Sequence, residues 1–143
     1  MAAGVGTSAS LGAVYSSALD LAGQRYFYSI SAYRILLYDI PSQAVTFFAG
    51  TGGAGSVDGI GTAALIHQSY GMAFGSGALY FSEVSQYKIR RIRMSDANVT
   101  TIAGGGGAGS VNGVGTLAKF STLRGVALDA PGTSLLIVRA AMP

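Results

Sequence analysis

The chain has 143 residues, of which half are hydrophobic and only a tenth are charged, and its formal net charge is +3. Because disordered chains are polar and charged, this composition disfavours disorder, and so small a net charge disfavours a strong electrostatic footprint for nucleic acid. There is no cysteine, which excludes disulfides and thiolate metal sites.

The N-terminal residues 1–12 contain no Lys or Arg, so they lack the basic region that opens a secretory signal. Polar residues interrupt every apolar run before it reaches the length of a transmembrane helix. The sequence therefore predicts no membrane span and specifies no compartment beyond a cytoplasmic default.

Short apolar bursts separated by turn residues follow, and this pattern predicts strands rather than helices. The predicted strands of the first unit are Ala18–Leu21, Arg25–Ser31, Tyr33–Asp39 and Val45–Ala49. Those of the second unit are Gly71–Phe74, Ala78–Glu83, Lys88–Arg93 and Val99–Ala103, with a tight hairpin at Gly75-Ser76-Gly77. A third unit shows Gly125–Asp129 and Ser134–Val138, with a turn at Pro131-Gly132.

The units are copies of one another. Residues 45–62 read VTFFAGTGGAGSVDGIGT, and 54 residues later residues 99–116 read VTTIAGGGGAGSVNGVGT. The tetrapeptide at residues 4–7, GVGT, is a partial earlier copy of residues 59–62, GIGT. A period near 50 residues indicates stacked units such as propeller blades, and four short antiparallel strands make one blade. The predicted fold class is all-β, built from tandem four-stranded antiparallel blades.

At this point the residues resemble a known family, the NHL repeats. Residues 79–92, LYFSEVSQYKIRRI, resemble the family signature, and residues 99–104, VTTIAG, resemble its closing strand. Residues 113–116, GVGT, with Phe120 and residues 124–129, RGVALD, resemble the linker and opening strand of the next blade. The resemblance implies a β-propeller, usually of about six blades.

The length departs from that family. The single predicted domain, 1–143, holds one blade at about 13–50, a second at about 67–104 and a partial third at about 121–143. Closed propellers need 4–8 blades, and an incomplete ring exposes strand edges at both ends. Three interpretations stay open: a fragment of a longer protein, association of copies, or open edges that bind another protein.

A glycine-rich segment follows the last strand of each full unit and leads to the next unit, and we call it the crossing. Its sequence matches a nucleotide-binding pattern. Residues 50–55, GTGGAG, match G-x-G-x-x-G after a strand, and residues 104–109, GGGGAG, do so again. A dinucleotide site needs a helix directly afterwards, and the residues that follow do not begin one. The recurrence at the blade period favours a linker between blades.

A basic strand is the second candidate site. Its alternation puts Lys88 and Arg90 on one face and Arg91 and Arg93 on the other, which favours an outer strand with charges that block edge pairing. The alternative is an RNA or polyanion surface, on which an aromatic side chain stacks a base. The residues predicted for that surface are Tyr87, Lys88, Arg90, Arg91, Arg93 and Arg124.

The titratable residues suggest no reaction centre. His67 is the only histidine, and the neighbouring sequence offers it no carboxylate. The carboxylates are Asp20, Asp39, Asp58, Glu83, Asp96 and Asp129. Asp20 and Asp129 share a repeat position, as do Asp58 and Asn112, which is typical of turn residues. We therefore predict no catalytic residue, no metal ligand and no cofactor.

The leading functional prediction is a non-enzymatic propeller module that binds a protein partner or associates with itself. The first alternative is RNA or polyanion binding through the basic surface. The second is a fragment of a propeller lactonase- or lyase-like enzyme, which requires bound Ca²⁺ or Zn²⁺. We also predict that one residue of each pair, Tyr26-Phe27 and Tyr80-Phe81, lies between neighbouring blades.

Overall fold

The computed structural model describes residues 3–5, 9–20, 22–129 and 134–139. Within these ranges, helix is confined to three 3₁₀ turns of three residues each, at Gly61–Ala63, Val84–Gln86 and Gly115–Leu117. The strands are β1 (Gly4–Val5), β2 (Val14–Leu19), β3 (Arg25–Ile30), β4 (Arg34–Asp39), β5 (Ala44–Ala49), β6 (Gly59–Ile60), β7 (Ser69–Gly75), β8 (Ala78–Glu83), β9 (Lys88–Arg93), β10 (Asn98–Gly104), β11 (Leu123–Leu128) and β12 (Leu135–Arg139). The predicted all-β class is confirmed. None of the helical turns is long or apolar enough to cross a membrane.

The strands form two equivalent sheets and part of a third. The first sheet has the order β1-β5-β4-β3-β2, and the second has the order β6-β10-β9-β8-β7. Every pairing is antiparallel, and β11 pairs with β12 in a third, two-stranded sheet. In sheets one and two, a two-residue strand from the preceding crossing lies beside the outermost long strand. The repeat in the sequence is therefore a repeat in strand order.

The hairpin between β7 and β8 follows from its turn chemistry. Gly75 pairs with Ala78, so Ser76 and Gly77 form a two-residue loop. Both loop residues have positive φ, 49° and 70°. Positive φ at both positions matches the right-handed twist of the flanking strands, and glycine adopts it without steric cost. The predicted hairpin is confirmed.

The main core lies between the first two sheets. Phe27, Ile35 and Ala49 of sheet one are fully buried against Phe81 and other apolar residues of sheet two. The ring of Phe27 is parallel to the ring of Phe74, at a centroid distance of 5.8 Å. Alternation along β8 turns Phe81 towards sheet one and Tyr80 towards the third sheet. Phe27 of the first pair therefore lies between two sheets as predicted, whereas both rings of the second pair do, each on its own side of sheet two.

Three strands at the ends of their sheets, β2, β7 and β11, pack side by side, and we call them the innermost strands. The Ser16 hydroxyl of β2 donates to the Ser69 carbonyl of β7 at 3.0 Å. A Cβ on Gly71 of β7 would lie 2.6 Å from the backbone nitrogen of Val126 in β11. Glycine at position 71 therefore permits the backbones of the second and third sheets to touch.

Several predicted bounds differ from the structure. The first strand was placed at Ala18–Leu21, but β2 begins at Val14, and Leu21 lies outside the described residues. The two-residue strands β1 and β6 were not predicted, because glycine-rich crossings carry no strand signal of their own. The turn at Pro131-Gly132 lies outside the described residues, and the blade limits 13–50, 67–104 and 121–143 stay predictions.

Candidate functional site

The glycine-rich crossings are built for close backbone contact. Gly104 has φ 79°, and a Cβ there would lie 2.2 Å from the Tyr87 carbonyl oxygen. Gly50, 54 residues earlier, has φ 94° and would place a Cβ 2.4 Å from the carbonyl oxygen of Tyr33. The crossings lead into three-residue 3₁₀ turns rather than into the long helix that a pyrophosphate site needs. The glycines thus let each crossing pack directly against the backbone that precedes β4 or β9.

A buried ion pair fixes the crossing to the second sheet. The side chains of Arg90 and Glu83 have no solvent exposure, and Arg90 Nη1 lies 2.9 Å from Glu83 Oε1. The Ser56 hydroxyl of the crossing donates to the other Glu83 oxygen and accepts from Arg90 Nη1 at 2.8 Å. Arg90 Nη2 also donates to the Val57 carbonyl at 3.1 Å. These bonds pair the two buried charges and hold the crossing in place, although the buried Nε of Arg90 has no hydrogen-bond partner among the described residues.

Asp58 and Lys88 add to these contacts, and we call the group of Arg90, Glu83 and Asp58 the clamp. Asp58 lies 3.1 Å from Arg90 Nη2 and accepts from the backbone and hydroxyl of Thr101 in β10. Lys88 Nζ donates to the Ser56 carbonyl at 3.2 Å. Asp58 is therefore more than the turn residue that the repeat predicted, because it joins the crossing to the outermost long strand of the sheet.

The predicted anion surface is divided by this arrangement. Arg90 is buried and cannot reach a ligand on the surface, which corrects its assignment there. Lys88 pairs with Glu83 at one end of the sheet, whereas Arg93 pairs with Ala78 at the other end. Since β9 has six residues, the two ends are roughly 17 Å apart. Tyr87 lies with Lys88, in the left-handed conformation that ends the 3₁₀ turn before β9.

The other predicted basic residues have separate surroundings. Arg93 is exposed, and its Nε donates to Asp96 at 3.0 Å. This hydrogen bond, with one from the Asn98 backbone, lowers the pKa of Asp96 below its usual value. Arg91 is half-buried on β9, and the exposed Arg124 lies on β11 at the innermost edge of the third sheet. The six predicted residues therefore do not form one surface.

A row of three side chains crosses the innermost strands instead, and we call it the inner-strand row: Tyr15 on β2, Tyr70 on β7 and Arg124 on β11. The rings of Tyr15 and Tyr70 are 5.1 Å apart at an angle of 51°. The guanidinium carbon of Arg124 lies 5.8 Å from the centroid of the Tyr70 ring, a cation–π geometry. Tyr70 is 39% exposed, so the centre of the row is accessible to a ligand.

Gln68 bonds to this row, and a separate aromatic contact lies at His67. The Gln68 amide donates to the Tyr15 hydroxyl at 3.2 Å. The ring of His67 lies 5.2 Å from that of Tyr33, and the His67 backbone N–H donates to Glu83 at 2.9 Å. The inner-strand row therefore has an exposed ring at Tyr70 and a hydrogen-bonding side chain, Gln68, beside Tyr15.

Sequence reasoning did not identify the inner-strand row, although it predicted Arg124 in a different surface. The available signal was the repeat, because Tyr15 and Tyr70 are 55 residues apart, and Tyr70 and Arg124 are 54 apart. Residues at equivalent positions of the repeat become neighbours where β2, β7 and β11 pack together. The pattern was hidden because the third copy replaces tyrosine with arginine.

Two of the remaining carboxylates accept hydrogen bonds from backbone N–H groups within turns. Asp20 Oδ1 accepts the backbone N–H of Gln24 at 2.8 Å, and Asp129 Oδ1 accepts that of Ser134 at 2.9 Å. These are the turn roles that their shared repeat position predicts. Among the residues that the structure describes, no three His, Asp or Glu side chains gather in a way that could hold a metal ion.

No protein-family model matches the sequence, and no curated protein matches it. Solved structures do resemble its fold. An auxiliary nutrient binding protein from Bacteroides ovatus is similar with a TM-score of 0.71 and 20% identity, over 85% of this chain and 33% of that one. A second auxiliary nutrient binding protein, from Bacteroides thetaiotaomicron, has a TM-score of 0.69, 20% identity and the same coverage.

Two further neighbours come from Bacteroides thetaiotaomicron. One, of unknown function, has a TM-score of 0.62 and 19% identity, over 90% of this chain and 45% of that one. The other is named as a candidate phosphatase, at 16% identity and a TM-score of 0.67, over 90% of this chain and 35% of that one. This chain therefore spans less than half the length of each neighbour, and at such identities the likeness shows a shared fold alone.

Proposed function

We propose that this chain is a non-enzymatic binding module of propeller type, with NHL-like blades, that associates through the open edge of its third sheet. Three features support the propeller arrangement: the 54-residue repeat, the identical strand order of two sheets, and the side-by-side packing of β2, β7 and β11. The nutrient-binding neighbours support a binding role in general terms.

The observation that carries the proposal is the outer edge of β12. In the first two sheets the second long strand, β3 or β8, has a further strand beyond it, β4 or β9. Among the described residues, β12 pairs only with β11 and no strand lies beyond it. An unpaired strand edge presents a row of N–H and C=O groups to which another strand can add.

The segment that leads from β10 to β11, which we call the third crossing, also lacks a strand equivalent to β6 among the described residues. In the second sheet Ile60 pairs with Asn98 of the outermost long strand. Val114 has the equivalent position in the third copy, lies outside any described strand and is 86% exposed. A strand pair supplied by a second copy or by another protein would complete the sheet and give Val114 the neighbour that Ile60 has. The occupant that we propose is a second copy of this chain.

The test is the oligomeric state of the purified chain, measured by gel filtration with light scattering at several concentrations. We expect a dimer or a larger closed assembly. Val114→Lys should weaken association, because a charged side chain on a strand edge disfavours the addition of another strand.

The matched control is Val114→Thr, which is β-branched and uncharged and should retain more of the association than the lysine variant. A chain that stays monomeric and folded at every concentration would contradict self-association. Equal association of the lysine and threonine variants would show that the third crossing does not join the ladder.

A further inference from the structure

The inner-strand row is an exposed surface, which we call the platform, and its two ends differ in chemical character. Tyr15 and Tyr70 supply two ring faces at one end, and Arg124 supplies a cation at the other. The two rings are tilted by 51°, so they form a shallow angled surface rather than a slot that closes on both sides of a flat ligand. The row is formed by the innermost strands, away from the outer edge of the third sheet.

The hydrogen-bonding groups of the platform are mainly donors. The Tyr15 hydroxyl accepts from the Gln68 amide, which leaves its own O–H to donate to a ligand. The exposed guanidinium of Arg124 has five N–H donors in a planar fork that fits a carboxylate. The nearby Glu83 carboxylate is fully buried and engaged by Arg90, so it does not offset this charge at the surface.

We propose that the inner-strand row binds an acidic oligosaccharide, with sugar rings against Tyr15 and Tyr70 and a carboxylate on Arg124. A sugar ring has an apolar C–H face that packs on an aromatic ring and a rim of oxygens that accept hydrogen bonds. A uronic acid adds one carboxylate to that ring. Its chemistry therefore matches each part of the row.

Charge density favours this ligand over single-stranded nucleic acid. A polynucleotide carries a phosphate at every step, and proteins that bind it combine stacking rings with a groove of cations along the backbone. The row has one cation for two rings, and Arg90 and Arg93 of the basic strand are occupied by Glu83 and Asp96. A ligand with separated charges fits this pattern better.

The test is isothermal titration of the chain with tetragalacturonate, a linear chain of four uronic acids. We expect saturable binding at or below about 1 mM ligand. Arg124→Gln should weaken it about tenfold, because a charge-assisted hydrogen bond is lost. The same oligomer with methyl-esterified carboxylates should bind the unaltered chain as weakly as tetragalacturonate binds Arg124→Gln.

Two further variants make the result specific. Tyr70→Ala should weaken binding of both the acidic and the esterified oligomer, since it removes the ring that they share, and Tyr70→Phe should retain most of the binding. Arg93→Gln, at the opposite end of β9, should leave binding unchanged. Far-ultraviolet circular dichroism verifies that each variant is folded, and both Tyr70 and Arg124 are exposed, so neither is needed for the core.

The proposal is overturned if tetragalacturonate does not bind, or if binding is indifferent to Arg124→Gln and Tyr70→Ala. It is also overturned if an oligothymidylate binds the row more tightly than the uronic acid, which would assign the row to nucleic acid. None of these results bears on association at β12, because the oligomeric state is measured separately and at a different edge of the sheets.

Discussion

At the scale of single residues, short polar side chains hold the turns that connect the strands. Asp39 is at the end of β4, where it accepts hydrogen bonds from the Ser42 hydroxyl and the Ser42 backbone N–H. Arg25, its cross-strand partner, lies 3.5 Å from the same carboxylate. The bonds from Ser42, and then the Arg25 guanidinium, lower the pKa of Asp39 below its usual value.

This shift predicts how stability depends on pH. Because the pKa of Asp39 is lower in the folded chain than in the unfolded chain, its ionised form stabilises the fold above the unfolded value and loses that contribution as the pH falls through the folded value. We therefore expect the melting temperature of Asp39→Asn to fall less than that of the unaltered chain between about pH 5 and about pH 2.5.

Ser42→Ala removes the largest cause of the shift and should reproduce part of the effect. The measurement is thermal unfolding followed by circular dichroism across that range. Parallel pH profiles for the unaltered chain and Asp39→Asn would show that this carboxylate does not contribute to acid unfolding.

At the scale of elements, the crossing between sheets one and two is held by the clamp of Arg90, Glu83 and Asp58. Arg90 was predicted on an alternating basic strand, and alternation did place it on the same face as Ile92. That face is buried, however, and the guanidinium bonds to Glu83 and to the crossing rather than to solvent. The prediction of an outer strand that blocks edge pairing is wrong, because β9 is paired on both sides, with β8 and β10.

Glu83→Ala should destabilise the chain by about 3–5 kcal/mol, because it leaves the buried Arg90 charge without its fully buried partner. Chemical denaturation measures this as a lower midpoint. The matched control is Asp96→Ala, which breaks an exposed pair with Arg93 and should change the midpoint little.

The double variant Glu83→Leu/Arg90→Met removes both buried charges and should recover part of the lost stability. If Glu83→Ala has the same midpoint as Asp96→Ala, the clamp does not contribute to the stability of the chain.

At the scale of the whole molecule, the sheets are joined through aromatic side chains in the main core. Phe27 is fully buried between the first two sheets, where its ring contacts Phe48 and Phe74. Tyr26, its neighbour on β3, points to the opposite face of the sheet and is only half-buried. The two residues have similar size but different roles in joining the sheets.

Phe27→Ala should lower the free energy of unfolding by about 3–5 kcal/mol, since it removes a buried ring and leaves a cavity between two sheets. Tyr26→Ala should cost clearly less. Equilibrium unfolding in urea compares the two variants directly. Equal losses for both would mean that the register of β3, and with it the packing of the sheets, is different from the one described.

The elements that could be predicted are those whose signal is local. β8 and β9 were predicted with their observed bounds, because apolar alternation and the positive-φ turn at Ser76-Gly77 act within a few residues. The start of β2 was missed because Val14–Ser17 is weakly apolar. That segment extends as a strand beside β7, where the Ser16 hydroxyl bonds to Ser69, and this contact depends on a residue 53 positions away.

The candidate site was harder to predict for the same reason. A row such as Tyr15, Tyr70 and Arg124 exists only because equivalent positions on three inner strands become neighbours when the sheets pack. The predicted basic surface shared a stretch of sequence instead, and residues five apart on a strand, such as Lys88 and Arg93, lie at opposite ends of a sheet. Sequence proximity therefore grouped side chains that the fold separates.

The sequence by itself determined that the chain is all-β and that its units repeat, because strand periodicity and turn glycines act locally and recur every 54 residues. The tertiary structure alone decided which charges are buried and which side chains share a surface. Burial and contact depend on how one sheet packs against the next, and that packing joins residues more than 50 positions apart.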